Sequence, residues 1–343
     1  MTDAPRRPLE RPDTVVALPP SARPILFVVV DTEEEFDWSA PFSRANTGVT
    51  AMRFIGRAQT IFDRYELKPT YVVDYPIAHQ PEGSDPLREA LAEDRCQIGA
   101  HLHPWVTPPF DEEVLSRNSF GCNLPASLEA AKIRVLKDRI RETFGVDAKA
   151  YKAGRYGIDA RGAETLESLG FEVDLSVNPH NDFTESSGPS FTAFDAAPFF
   201  FEGRRDRLFF LPCTVGYVGL AGSAGKWLHA IASAKPLEPL HAVGVLARSG
   251  ITNRVMLSPE GNTLSEMKAL ASALHGRGCR TFSLTFHSPS VEPGHTPYVR
   301  TEADMREFLA CLDGFCEFFF RELDGVAGRP LEFRSSLVKE SSR

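Results

Sequence analysis

The sequence has no block of lysine and arginine residues, and its formal net charge is −8 at pH 7 over 343 residues. Because nucleic acids and anionic membranes attract clustered basic side chains, we expect neither to be the main partner. The six cysteines are scattered and none belongs to a C-x-x-C pair, which argues against a thiolate zinc site or a redox motif. We therefore expect reduced, buried thiols in a cytoplasmic protein.

Long apolar runs are also missing. No segment reaches the roughly 20 apolar residues that cross a bilayer. Residues 1–22 carry prolines and arginines without the apolar centre of a secretory signal, and we interpret this segment as a disordered lead-in. The G-x-G-x-x-G pattern of dinucleotide-binding folds is absent after the first predicted strand, so that class of fold has no support.

What the sequence does contain is an apolar strand that ends abruptly in acids. Residues 25–30 read Ile-Leu-Phe-Val-Val-Val, a short run rich in strand-forming residues. Acids crowded at the carboxyl end of a strand repel one another unless a positive group, such as a metal ion, lies among them. The alternative is a solvated loop that leads into the next helix. The acids are Asp31, Glu33, Glu34, Glu35 and Asp37.

Strand-like and helix-like segments alternate along most of the chain, which predicts parallel strands joined by crossover helices. About seven such units favour a closed or nearly closed barrel over an open sheet. We predict an α/β fold, a distorted (β/α)7-type barrel, in a single domain over residues 23–325 with an insert at 176–215 and a frayed polar tail at 326–343. The predicted strands cover residues 25–30, 70–74, 96–101, 148–152, 171–174, 208–212, 254–257 and 281–286, and the predicted helices cover 51–66, 86–94, 124–144, 162–169, 226–250, 263–275 and 304–323.

Several predicted strands end in side chains that are capable of chemistry. In a parallel barrel these ends meet on one face, so we expect the side chains to converge. His101 and His103 are two residues apart, and an extended strand would place both on one side. Two imidazoles and one carboxylate form a common ligand set of a catalytic divalent metal ion. The converging residues would be Asp31, Glu33, Asp74, His101, His103 and His287.

The succession of these motifs resembles that of the polysaccharide deacetylases, the carbohydrate esterases of the NodB-homology family, and is most similar to their WalW-like branch. The resemblance covers residues 24–325 and implies a distorted barrel of about seven strands, in agreement with the strand count above. The matching segments are Asp-Thr-Glu at 31–33, Ile-Gly-Ala-His-Leu-His-Pro at 98–104, Tyr-Lys-Ala-Gly-Arg-Tyr-Gly at 151–157, Phe-Glu-Val-Asp at 171–174 and Leu-Thr-Phe-His-Ser at 284–288.

The resemblance implies a metal-dependent mechanism. A divalent ion, commonly zinc, would polarise an acetamide carbonyl and lower the pKa of a bound water molecule. Asp31 would act as the base, and His287 would protonate the leaving amine. A backbone N–H at or near Tyr156 would help to hold the oxyanion. The implied metal ligands are Glu33, His101 and His103.

Departures from the family pattern leave the roles of the acids open. Thr32 stands where the family usually has a second aspartate, so Asp31 could bind the metal while Glu33 or Glu34 acts as the base. The two histidines are also closer together in this sequence than in the usual family motif, which makes the second ligand less secure than the first.

The third and fourth motifs carry further alternatives. Lys152 stands where the family usually has arginine, and either Lys152 or Arg155 could orient the base and lower its pKa. Asp174 matches the position that usually tunes the late histidine through a hydrogen bond, with a purely structural cap as the alternative. Trp38 and Trp105 lie just past the ends of catalytic strands, and they could either stack on a sugar or pack in the core.

The leading hypothesis is a hydrolase that removes an N-acetyl group from a sugar or polysaccharide precursor in the cytoplasm. One alternative keeps the metal and the fold but hydrolyses another non-peptide C–N bond, as in a small cyclic amide or ureide. Another is a metal-free, non-catalytic glycan-binding barrel, since the altered motifs could have lost the metal. An exposed patch at the phenylalanine triplets 199–201 or 318–320 would indicate a homo-oligomer.

Overall fold

The computed structural model describes residues 7–220, 222, 225–232, 249 and 251–341. Strands and helices alternate over these ranges, as the sequence predicts. The described strands are β1 (Ile25–Thr32), β2 (Thr70–Val73), β3 (Gln97–Leu102), β4 (Ala150–Ala153), β5 (Val173–Asp174), β6 (Phe199–Phe200), β7 (Phe209–Phe210), β8 (Val215–Val218), β9 (Asn253–Met256), β10 (Thr281–His287) and β11 (Val326–Ala327). The described helices are α1 (Gly56–Arg64), α2 (Tyr75–His79), α3 (Pro81–Ala92), α4 (Ala126–Phe144), α5 (Ala160–Ser168), α6 (Gly225–Ala232), α7 (Leu264–Gly276), α8 (Glu302–Arg321) and α9 (Pro330–Ser341).

A single curled sheet forms the centre of the fold. Within the described ranges its strand order is β10-β1-β2-β3-β4-β5-β7-β6, with β11 added beside β1. Every pairing from β10 to β7 is parallel, and β6 ends the sheet as an antiparallel strand. Parallel strands joined by helices are the arrangement expected from the alternating pattern. The predicted deacetylase-like α/β barrel is therefore confirmed.

The barrel is closed between β7 and β10 by residues at the base of the β8–β9 hairpin. The N–H of Leu257 donates to the carbonyl of Thr214 at 2.8 Å, and the N–H of Thr285 donates to the carbonyl of Leu257 at 3.1 Å. The hydroxyl of Thr214 accepts a further hydrogen bond from the N–H of Ser283 at 2.8 Å. Single hydrogen bonds thus replace a regular ladder on this side, which makes the barrel distorted.

Alternate residues of β1 belong to two different hydrophobic clusters. The even-numbered residues from Leu26 to Val30 pack against the outer helices, whereas Phe27 and Val29 pack inside the barrel. Because successive side chains of a strand point to opposite faces, Asp31 continues the inward row above Phe27 and Val29. The alternation in the sequence therefore aims the first acid at the barrel axis.

The C-terminal segment is helical and closes the bottom of the barrel, which differs from the predicted frayed tail at 326–343. Val326–Ala327 adds a short strand beside β1. The following helix buries Phe333 and Leu337 in the interior cluster, with the ring centroids of Phe333 and Phe27 5.4 Å apart. The partly buried Leu331 and Val338 pack against the same cluster, so four apolar side chains dock this mostly polar helix.

Residues 7–22 also contact the barrel, so this part of the predicted disordered lead-in is packed. Leu9 is buried among the outer core residues. The N–H of Val16 donates to the carbonyl of Pro198 at 2.7 Å. This segment packs because it supplies an apolar side chain and a backbone donor to the edge of the sheet.

Three further expectations concern the second half of the chain. The predicted insert at 176–215 is part of the sheet, because it contributes β6 and β7. Of the helix predicted at 226–250, the structure describes α6, and most of the remaining residues lie outside the described ranges. No helix in the described ranges is both long and apolar enough to cross a membrane. The phenylalanine triplets lie in the core, as the buried residues Phe199, Phe200, Phe201, Phe318 and Phe319 show.

Candidate active site

The carboxyl ends of neighbouring strands bring most of the predicted residues together. β1 lies between β10 and β2, and Asp31 is paired in register with His287. The strand ends of β3 and β4 follow along the same edge of the sheet. The buried residues at this point are Asp31, Glu33, His101, His103 and Lys152, each at most 3% exposed.

Glu33 and the two histidines form a compact set of donor atoms. The Nε2 atoms of His101 and His103 each lie 3.4 Å from Oε2 of Glu33. Nδ1 of His101 lies 3.0 Å from the carbonyl oxygen of Lys152 and must therefore donate, which leaves Nε2 of the neutral ring as an acceptor. Nδ1 of His103 lies 2.7 Å from the carboxylate of Glu34. Burial lowers the pKa of His101 and lowers the pKa of His103 to about 4, so both rings are neutral at pH 7.

This set of atoms fits a divalent metal ion. Among the described residues, Oε1 of Glu33 is buried and has no hydrogen-bond partner, although buried carboxylate oxygens normally have one. One donor atom from each of Glu33, His101 and His103 lies within 4.8 Å of the others. A cation at this position would complete the bonding of Glu33 with a ligand set that is typical of catalytic zinc.

Asp31 is bound by a lysine. Both of its carboxylate oxygens lie 2.7 Å from Nζ of Lys152, and Nζ also donates to the hydroxyl of Thr285 at 3.0 Å. Burial acts to raise the pKa of Asp31, but the charge and hydrogen bonds of Lys152, together with the nearby His101 and His287, outweigh it and the pKa is lowered. Asp31 is therefore ionised at neutral pH, and Lys152 is the cation that keeps it so.

Arg155 does not take part in this ion pair, which corrects the prediction that it could orient Asp31. Its Nη1 donates to the hydroxyl of Ser119 at 2.7 Å and to the carbonyl of Ser116 at 3.3 Å. The chain turns at Arg155, where φ is 53°, so its side chain does not continue the inward row that ends at Lys152.

His287 is held by Glu260, a residue that the sequence analysis did not single out. Nδ1 of His287 lies 2.8 Å from Oε2 of Glu260, and the N–H of His287 donates to Oε1 at 3.1 Å. Burial acts to lower the pKa of His287, but the carboxylates of Glu260 and Glu33 outweigh it and raise the pKa to about 10. His287 is therefore a cation at neutral pH, with Nε2 3.8 Å from Oδ2 of Asp31.

Asp174, which we predicted to tune His287, has the structural role that was the alternative. Its carboxylate accepts hydrogen bonds from the N–H and the hydroxyl of Ser176, both at 2.8 Å. The hydroxyl of Ser176 in turn accepts the N–H of Ala153 at 2.8 Å. The prediction was wrong because Glu260 reaches Nδ1 of His287 from the loop after β9 and occupies the site that Asp174 would need.

Aromatic side chains wall a cavity of about 350 Å³ above these residues. Trp38 is 37% exposed and meets the ring of His287 edge to face, with centroids 4.8 Å apart. Trp105 is 3% exposed, donates to Glu34 at 2.7 Å and stacks on His103 at 4.3 Å. Trp38 is therefore open to a ligand, whereas Trp105 packs behind His103. The other aromatic walls are Phe36, Phe42, Tyr156, Phe183 and Tyr298.

Three other residues at the site differ in how well the sequence predicts their contacts. Glu260 lies in Ser-Pro-Glu-Gly-Asn at 258–262, just after β9, so an acid following a strand was the available signal. Asp74 converges as predicted, but it accepts the N–H of Glu34 at 2.6 Å and caps α2. The hydroxyl of Ser288 accepts the N–H of Glu33 at 3.2 Å, and the motif at 284–288 ends at Ser288 without indicating this contact.

Comparison with known proteins bears on the fold. No family model and no curated protein matches this chain. A structure provisionally described as a polysaccharide deacetylase from Mycobacterium smegmatis is similar with a TM-score of 0.52 and 16% identity, over 97% of this chain and 96% of that chain. A 4-alpha-glucanotransferase from Thermococcus litoralis is similar with a TM-score of 0.52 and 13% identity, over 92% of this chain and 40% of that chain. The likeness shows that this chain has the barrel fold shared by these structures.

Proposed function

We propose that this protein is a metal-dependent hydrolase that removes an N-acetyl group from a sugar or polysaccharide precursor. The observation that carries the proposal is the set of Glu33, His101 and His103 next to the Asp31–Lys152 ion pair. A metal site with an open position, an ionised carboxylate and a protonated acid are the groups that amide hydrolysis requires. The shared fold with a structure described as a polysaccharide deacetylase supports the choice of an acetylated sugar.

Each residue then has a distinct role. Glu33 and the two histidines would hold the ion, and their donor set suits zinc. When bound, the ion would supply a Lewis acid that polarises the substrate carbonyl and makes water more acidic. Asp31, kept ionised by Lys152, takes the proton from the attacking water. His287 gives a proton from Nε2 to the leaving nitrogen as the C–N bond breaks, which yields acetate and a free amino sugar.

The oxyanion of the intermediate needs a separate donor. Tyr156 lines the cavity, and its φ of 61° places it in the turn directly after β4. A backbone N–H aimed at a developing negative charge is a common oxyanion donor. The N–H of Tyr156 is therefore the donor that we assign to the carbonyl oxygen of the acetamide.

One structure of the same fold is described as a glucanotransferase, which carries out glycosyl transfer. The side chains of the site must therefore decide between glycosyl transfer and amide hydrolysis. Retaining glycosyl transfer uses two carboxyl groups about 5–5.5 Å apart, one of which attacks the sugar. Here Lys152 binds both oxygens of Asp31, and Glu33 lies against two imidazoles. Because both carboxylates are engaged in this way, the site favours C–N hydrolysis over attack on a sugar carbon.

The proposal is tested by measuring acetate release from N-acetylglucosamine oligomers before and after chelation of the purified full chain. We expect activity that is lost with chelator and restored by zinc. Asp31→Asn and His287→Ala should each lower kcat/KM by about 10²–10⁴-fold, because each removes one proton-transfer group. Asp37→Asn is the matched control, since Asp37 belongs to the same acidic segment but is exposed, and it should retain activity.

Other outcomes would support the rival functions. Hydrolysis of small cyclic amides or ureides without release of acetate from sugars would favour the alternative C–N hydrolase. A purified protein that retains no zinc, nickel or cobalt after loading would favour the metal-free glycan-binding barrel. Acetate release that survives both chelation and the loss of Asp31 would contradict the mechanism itself.

A further inference from the structure

The cavity contains a basic residue that none of these roles uses. Among the described residues lining the cavity, Arg155 is the only lysine or arginine. It follows Gly154, where an added Cβ would lie 2.5 Å from Cδ2 of His103. Arg155 therefore begins directly beside a proposed metal ligand, within reach of any substrate bound there.

The charge of Arg155 has no counter-ion in the described part of the chain. Lys152 is paired with Asp31, and His287 is paired with Glu260, whereas no carboxylate forms an ion pair with Arg155. Burial lowers the pKa of Arg155, and no acidic side chain offsets this effect. A partly buried cation without a partner is unfavourable by itself and becomes favourable when a ligand brings a negative charge.

The guanidinium of Arg155 is nevertheless held in place. It lies over the rings of Phe42 and Phe120, 5.2 and 4.1 Å from their centroids. Its Nη1 donates to the hydroxyl of Ser119, which leaves Nε and Nη2 without an acceptor among the described residues. Stacking of this kind fixes the plane of the guanidinium while leaving its edge free to donate hydrogen bonds.

The backbone at Arg155 also indicates that this side chain is held in place. Arg155 and Tyr156 have φ of 53° and 61°, a left-handed conformation that residues with a Cβ seldom adopt. Such strain persists where the surrounding structure fixes a functional group. The turn therefore places Arg155 at the cavity in a left-handed conformation.

We propose that Arg155 binds an anionic group of the substrate, a carboxylate or a phosphate, so that the preferred substrate is an acidic N-acetylated sugar. This inference rests on the proposed deacetylase function and adds the chemical class of the sugar. The planar fork of arginine donates paired hydrogen bonds to two oxygens of a carboxylate or phosphate, which a neutral hydroxyl group cannot match.

The test compares three probes by isothermal titration calorimetry on the full, zinc-loaded chain carrying Asp31→Asn, which slows turnover. The probes are N-acetylglucosamine, N-acetylmuramic acid, which carries a carboxylate, and N-acetylglucosamine 6-phosphate. We expect at least one acidic sugar to bind roughly 10- to 100-fold more tightly than the neutral sugar, the effect of charge-assisted hydrogen bonds. The two acidic probes distinguish a carboxylate site from a phosphate site.

Two variants and one control locate the effect. Arg155→Gln should abolish the preference for acidic sugars, and Arg155→Lys should retain only part of it because lysine lacks the fork. Arg44→Gln is the matched control and should retain the full preference. Arg44 lies over the ring of Phe110 at 5.0 Å and donates to backbone carbonyls as Arg155 does, but it does not line the cavity.

Equal affinity for acidic and neutral sugars, or a preference that survives Arg155→Gln, overturns the inference. If Arg155→Gln does not fold, the Arg155→Lys variant provides the test. An undiminished preference for acidic sugars in Arg155→Lys contradicts recognition by the planar guanidinium. Acetate release by the native chain is measured in parallel. Its absence contradicts the deacetylase proposal, whereas a difference in affinity that depends on Arg155 upholds the anion site independently.

Discussion

Replacing Glu260 with glutamine should lower the pKa of His287, which is a cation at neutral pH, toward neutrality. Glu260 binds both Nδ1 and the N–H of His287, at 2.8 and 3.1 Å. The pKa of His287 is about 10, compared with an ordinary value of 6.5, and burial alone would lower it. This difference corresponds to roughly 5 kcal/mol in favour of the cation. One opposite charge in contact accounts for about 1–3 pKa units of such a difference, with Glu33 and Asp31 supplying the remainder.

The pH dependence of kcat/KM is the assay for this change. The proposed acid works only while protonated, so activity falls as the pH rises through the pKa of His287. A divalent ion beside Glu33 opposes the charge on His287, so we expect the native falling limb at or below pH 10. Glu260→Gln should move that limb down by about 1–3 pH units, while activity well below the limb is largely kept.

A control and a direct measurement separate this effect from general damage. Glu292→Gln is the matched control, because Nε2 of His295 lies 3.3 Å from Glu292 in an equivalent pair that does not line the cavity. It should leave the falling limb in place. An NMR titration of the His287 ring should show the same shift as the kinetics. A falling limb that coincides in native and Glu260→Gln protein would refute the reasoning.

Three further predictions concern the ion pair, the metal site and the C-terminal helix. Lys152→Met leaves Asp31 buried without a partner, so urea denaturation should show a free energy of unfolding lower by about 3–5 kcal/mol, and adding Asp31→Asn should recover part of it. Because the pKa of Asp31 is lowered from 3.8, the stabilisation by this pair is present above that pH and lost as the pH falls through the folded value. Glu34→Gln should weaken zinc binding by about 10–100-fold in a chelator competition, because Glu34 orients His103, and unchanged affinity would contradict this role. Phe333→Ala should lower the free energy of unfolding by about 3–5 kcal/mol with little change in kcat/KM, and a loss confined to activity would show that the helix does not act through packing.

The parts of the site that could be predicted from the sequence are those encoded locally. The apolar run of β1 and the acids after it identify a strand end, and the period of two fixes which acids face inward. The same rule places His101 and His103 on one side of β3, because the chain stays extended through both residues. Where a side chain's direction follows from its own strand, the prediction agrees with the structure.

The parts that could not be predicted depend on packing between distant segments. Asp174 ends β5 and Glu260 follows β9, and only the order of strands decides which carboxylate reaches His287. Which of Lys152 and Arg155 pairs with Asp31 likewise depends on the position at which β4 ends and the chain turns. The buried face of the C-terminal helix carries too few apolar residues to produce a clear helical period. The WalW-like branch, the cytoplasmic location and a homo-oligomeric state remain predictions.

The register of β1 against β10 also has a consequence for the order of folding. Asp31 stands opposite His287, so the proposed base and acid meet only when strands from the two ends of the described chain have paired. During synthesis β1 emerges first, and one of its edges stays unpaired until β10 is made, while the start of its other edge waits for β11. Pairing across such a long stretch of chain is slow and leaves an edge open to aggregation. We therefore expect catalytic activity to appear in the slowest refolding phase, when β10 docks beside β1.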